Sequence, residues 1–109
     1  MRAEIQNTVA KIEKSVALLK QRLDWETAPH RLEEFNAMIE DPTLWDDPER
    51  AQKLMRERQM LMDAVNTAKS IEQDMKDNIE LIEMGEMEED QEVIAEAEAA
   101  LMALTKTAA

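Results

Sequence analysis

Residues Asp47 to Gly85 read DPERAQKLMRERQMLMDAVNTAKSIEQDMKDNIELIEMG, and this stretch predicts one long helix with its own start and stop. Asp47 can accept hydrogen bonds from the free amides of a first turn, and Pro48 suits the first helical position, where its missing N–H costs nothing. Leu54, Leu61, Val65, Ala68, Ile71, Met75, Ile79 and Ile82 follow at threes, fours and sevens, which gathers them on one helical face. No Gly or Pro breaks the run before Gly85, the only glycine of the chain. A glycine there predicts the left-handed residue that closes a helix. At 1.5 Å per residue the rod measures about 55 Å, several times the average helix, so it needs partners along its apolar stripe.

The flanking segments supply them. From Ile5 the apolar positions Val9, Ile12, Val16, Leu19 and Leu23 alternate in fours and threes, the seam of a coiled coil. Asp24 to Pro29 predicts a turn, with Thr27 as the cap of a short second helix whose apolar side holds Leu32, Phe35, Met38 and Ile39. Asp41-Pro42 ends that helix. Trp45, in the connector that follows, is expected to plug the joint between two helices, with its N–H on a turn carbonyl, while Trp25 sits in a partly wet turn. Residues 86–92 are rich in Glu and Asp and predict an acidic loop running into a last helix, whose seam is Ile94, Ala97, Leu101 and Leu104. Met55, Met60, Met62 and Met75 are expected to fill gaps in a core poor in aromatics. The expected fold is all-α: an elongated antiparallel helical bundle with coiled-coil-like packing around one long central helix, the first and last helices lying along it.

Composition narrows the function. The chain has 109 residues, no Cys and a net charge of −12, which excludes thiol chemistry and argues against autonomous nucleic-acid binding. No apolar run approaches the 18 to 20 residues or so of a membrane span, and charged residues interrupt the N-terminus as no signal peptide would. A cytoplasmic location is expected. The charge is uneven: residues 1–23 carry +3, 24–47 carry −7, 48–84 carry −2 and 85–109 carry −6. Lys11, Lys14, Lys20 and Arg22 are most simply read as solvated helix flanks, although they also form the one segment suited to face phosphate.

Catalytic constellations are missing. A single glycine excludes the phosphate-cradling loops, and His30, the only histidine, cannot build the paired Glu-x-x-His of a di-iron bundle. Asp41 to Glu49 lacks the ligands and turn glycine of a calcium loop. No cofactor, metal or enzymatic activity is expected of these residues. A generic acidic coiled-coil adaptor would fit periodicity and charge alone.

Arg31-Leu32-Glu33-Glu34-Phe35-Asn36, Ile39-Glu40-Asp41-Pro42, Trp45 and Asp47-Pro48-Glu49-Arg50-Ala51-Gln52, in this order and spacing, resemble the N-terminal domain of the bacterial peptide chain release factor 2 family. The related release factor 1 family lacks this arrangement of Asp-Pro, Trp and Asp-Pro. The resemblance runs through the flanking helices, so residues 1–109 are expected to form a single N-terminal helical domain of a larger release factor. It implies a part in translation termination at UAA and UGA stop codons, with the ribosome, at the stalk base of the large subunit, and the class II release-factor GTPase as partners. The Gly-Gly-Gln and Ser-Pro-Phe motifs of that family are absent from this sequence, so no catalytic residue carries over. Lys11, Lys14 and Lys20 are the candidates for a ribosome contact; Trp45, Asp47, Pro48 and Gly85 are expected to be structural. Weak self-association of the long helix is a further expectation. The chain stops at Ala109 with neither cap nor polar tail, as a domain cut from a longer protein would.

Overall fold

The computed structural model describes residues 1–108; the chain end at Ala109 lies outside the described residues. Four α-helices make up the fold: α1 (Ala3–Leu23), α2 (Ala28–Glu40), α3 (Pro48–Glu88) and α4 (Gln91–Ala108), with a five-residue 3-10 turn, Pro42–Asp46, between α2 and α3. There is no strand among the described residues. The protein is all-α. At 41 residues α3 is about 60 Å long.

The start of α3 follows from its sequence. Asp47 adopts extended backbone angles and its Oδ1 accepts from the Arg50 amide at 3.2 Å, while Pro48 occupies the first helical position. The chain then divides into two compact units, Met1–Leu19 with the chain from Ala68 onward, and Lys20–Thr67; α3 runs through both.

The first unit is a three-helix bundle. Ile5, Val9, Ile12 and Val16 of α1, Ile71, Met75 and Ile82 of α3, and Ala97, Leu101 and Leu104 of α4 share one core, all of them seam positions that the four-three spacing gathers on one face; of the other expected seam residues, Leu19, Leu23 and Ile94 are only half-buried. The Met1 amino group meets Glu86 at 2.7 Å, so α1 begins where α3 ends and the two run in opposite directions. Arg2 Nε donates to Glu98 at 2.8 Å and ties the same end of α1 to α4.

The end of α3 departs from the sequence reading. The helix does not stop at Gly85 but continues to Glu88, and Glu89, at φ 56°, is the left-handed residue; no glycine has positive φ. The Asp90 amide donates to Gly85 O at 2.8 Å and that of Glu89 to Glu86 O at 3.4 Å, the two bonds of a Schellman closure. Asp90 then caps α4, its Oδ1 accepting from the Val93 amide at 3.3 Å. Back-to-back caps leave only Glu89 and Asp90 between the helices, so residues 86–88 are helical and the expected acidic loop is absent. Gly85 serves packing instead: a Cβ there would sit 2.7 Å from Ile94 Cγ1 and 3.3 Å from Asp90 O. It lets α4 turn back close against α3.

The second unit is built around two small clusters. Ala28, Leu61 and Val65 pack with the half-buried Leu23, Trp25, Leu32 and Phe35, and Leu44, Ala51 and Leu54 pack with Phe35 and Ile39. Phe35 belongs to both. The same closure that ends α3 ends α1: Asp24 is left-handed at φ 55°, the Trp25 amide donates to Lys20 O at 3.0 Å and that of Asp24 to Gln21 O at 3.2 Å. Thr27 stands at the cap position of α2 but makes no side-chain cap: its backbone is helical, at φ −92° and ψ −12°, rather than extended as a capping residue requires, and its hydroxyl donates back to Asp24 O at 3.1 Å. An Arg31 Nη2 hydrogen bond to Leu23 O also holds this corner.

Trp45 corrects the expectation of a plug. Its N–H reaches a carbonyl in the last turn of α2, Ile39 O at 3.1 Å, but Trp45 is 55% exposed and Leu44, at 3%, fills the joint. A 3-10 turn places successive residues about 120° apart, so only one of two neighbours can point inward. The methionines also differ: Met75 is buried, whereas Met55 is exposed and Met60 is 71% exposed. Each lies one position off the buried stripe of Leu54 and Leu61, which turns it toward solvent.

Candidate functional site

The residues singled out for phosphate contact lie on α1. Its buried side holds Ile5, Val9, Ile12 and Val16, which leaves Lys11 and Lys14 on the opposite, exposed side, three residues and so about one turn apart. No ion pair among the described residues uses either. Leu18, 46% exposed, follows Lys14 at the next turn. Lys20 is not brought to them. Nine residues of α-helix make two and a half turns, so the spacing already sets it apart from Lys11, and its ammonium stands 4.8 Å from the centre of the Trp25 ring. That contact is local: it packs the fourth-from-last residue of α1 on Trp25, just past the left-handed Asp24, where a Schellman closure usually places an apolar pair.

The structural set is dispersed. Asp47 and Pro48 start α3, Gly85 sits near its end, and Trp45 lies in the 3-10 turn. His30 Nε2 meets Glu34 Oε1 at 2.9 Å on the exposed face of α2, an ordinary pair one turn apart. Among the described residues no group of three or more metal-ligating side chains converges, and no helix is long and apolar enough to cross a membrane. One carboxylate has a distinct setting. Asp41 Oδ1 accepts from the Thr43 amide at 3.0 Å and from its hydroxyl at 2.8 Å, and these bonds, helped by the charge of Arg50, hold its carboxyl below the usual aspartate range.

Three features were not read from the sequence: the left-handed Asp24 and Glu89, and the cap at Asp90. Asp90 carried a signal, a capping residue type one turn before the seam begins at Ile94. Glu89 carried none.

The family model for the PCRF domain matches residues 28–109, from the first residue of α2 onward. The chain belongs to the PCRF domain family. Curated relatives extend the likeness over α1. Peptide chain release factor 2 of Roseobacter denitrificans is 70% identical over 109 residues, that of Ruegeria sp. 66% and that of Paramagnetospirillum magneticum 49%; each match covers 100% of this chain and 29% of the relative. The chain thus spans less than a third of the length of these relatives and corresponds to their N-terminal part. Lys11, Lys14 and Lys20 lie outside the stretch that the PCRF domain model matches and inside the stretch that these relatives share.

Proposed function

We propose that this chain is the N-terminal domain of a peptide chain release factor 2, a part of the translation-termination apparatus that works by contact with the ribosome. The observation that carries the proposal is the 70% identity, over the whole chain, to the N-terminal part of a protein named peptide chain release factor 2. The absence of Gly-Gly-Gln and Ser-Pro-Phe from the sequence supports a division of labour in which ester hydrolysis and the reading of UAA and UGA fall to the rest of the factor. Residues 1–109 act as one domain of that factor in the cytoplasm, with the stalk base of the large subunit and the class II release-factor GTPase as partners. Lys11 and Lys14 are the residues proposed to meet ribosomal phosphate, because they are exposed cations on the only segment with positive balance; Lys20 has a weaker claim, since Trp25 already engages it.

A release assay tests this reading. On ribosomes carrying peptidyl-tRNA with UGA in the decoding site, the chain alone should liberate no peptide. In excess over a full-length release factor it should slow release by occupying the same contact. Unchanged release at saturating chain would contradict the proposal.

A further inference from the structure

The exposed tryptophan is the feature that neither the fold nor the proposed function uses. Trp45 is 55% exposed, although its N–H is fixed on Ile39 O at 3.1 Å, and Leu44 rather than Trp45 fills the core position. The ring is therefore held in place yet open to solvent, the state in which an aromatic side chain offers contact area at little ordering cost. The setting is strongly acidic. Residues 24–47 carry a balance of −7; Glu40, Asp41, Asp46 and Asp47 flank Trp45 in the sequence and are exposed, with Arg50 near Asp41 as the neighbouring cation. No ion pair among the described residues uses Glu40 or Asp46.

We propose that Trp45, with Glu40 and Asp46, forms a docking surface for a cationic segment of another protein that lays an arginine over the indole. The chemistry selects this occupant. Nucleic acid is repelled by the carboxylates, and a purely apolar partner would strip water from them without compensation. An arginine satisfies both parts, stacking on the ring while its guanidinium pairs with carboxylate. Trp25, in the same unit, already has a lysine ammonium over its ring, 4.8 Å from the centre. The docking surface goes beyond the proposed function and is independent of the Lys11 and Lys14 contact.

The test is an NMR titration of the 15N-labelled 109-residue chain with a deca-arginine peptide. The Trp45 indole signal and the amides of residues 40–49 should shift together and saturate before those of residues 86–92, an equally acidic segment with no aromatic residue. Trp45→Ala should weaken binding about fivefold, and Glu40→Gln with Asp46→Asn should weaken it with the ring intact, both variants keeping the parent circular dichroism. Saturation of both acidic segments at one concentration, with Trp45→Ala binding unchanged, would overturn the proposal. So would an indole signal that moves with chain concentration alone, which would assign the surface to a second copy, or one that an RNA decamer shifts equally.

Discussion

Leu44 and Trp45 stand next to each other, and the smaller one carries the packing. Leu44→Ala should cost about 3 kcal/mol, as a buried leucine does, whereas Trp45→Ala should cost about 1 kcal/mol because the ring is mostly wet and little beyond its N–H bond disappears. Trp25 packs against the Ala28, Leu61 and Val65 cluster, so Trp25→Ala should fall between them at about 2 kcal/mol. Urea melts of the three variants give the order; a Trp45→Ala loss larger than that of Leu44→Ala would reverse this assignment. Sequence reasoning chose the tryptophan for its size, and no pattern in Pro42–Asp46 tells which of two neighbours a tight turn points inward. Asp41 makes a second prediction at this scale. Its carboxyl is lowered by the bonds from Thr43, so the folded state binds its proton less tightly than the unfolded chain does. The stabilisation is present above the unfolded aspartate value, near 3.9, and is lost as pH falls through the lower folded value. In a carbon-detected NMR titration Asp41 should protonate below ordinary exposed aspartates, and Thr43→Val should bring it back toward them.

The helices themselves were legible: seam spacing in α1 and α4, and Asp47-Pro48 at the start of α3, describe the elements by local chemistry that needs no tertiary context. The end of α3 was not, because a glycine has two uses. It can enter the left-handed region or admit a close neighbour, and one sequence does not distinguish them. Here Glu89 takes the left-handed angle and Gly85 takes the neighbour. Two opposite substitutions follow. Glu89→Gly should stabilise the protein by about 1 kcal/mol by removing a steric penalty. Gly85→Ala gains helix propensity but forces a methyl against the stiff, branched Ile94 and two backbone atoms, and should destabilise by about 1 to 2 kcal/mol net. Thermal melts measure both. A stabilising Gly85→Ala would show that α4 does not need the close approach. Ile94→Ala combined with Gly85→Ala should recover part of the loss relative to the sum of the single changes.

Across the whole molecule, stability and charge are unevenly placed. The first unit has one continuous core of three helices, and the second has two small clusters bridged by Phe35. Protection from exchange follows buried apolar contact, so amides of α3 from Ile71 to Ile82 should exchange more slowly than those from Leu54 to Val65; uniform protection along α3 would mean that its cores act as one. The candidate site was only half legible. Sequence located the cationic segment, since charge balance is additive along a chain, but the face each lysine occupies depends on the helix and on what lies beside it, and Lys20 is taken by Trp25. In the proposed function this acidic chain meets the ribosome through α1, the helix of positive charge balance. The direct measurement is co-sedimentation of the 109-residue chain with 70S ribosomes over a salt series, for the parent and for Lys11→Gln with Lys14→Gln. The double variant should bind more weakly, with a salt slope reduced by about 1 to 2, one increment for each phosphate that a lysine no longer neutralises, and Lys20→Gln should change it little. Parent and double variant binding alike at every salt concentration would contradict it.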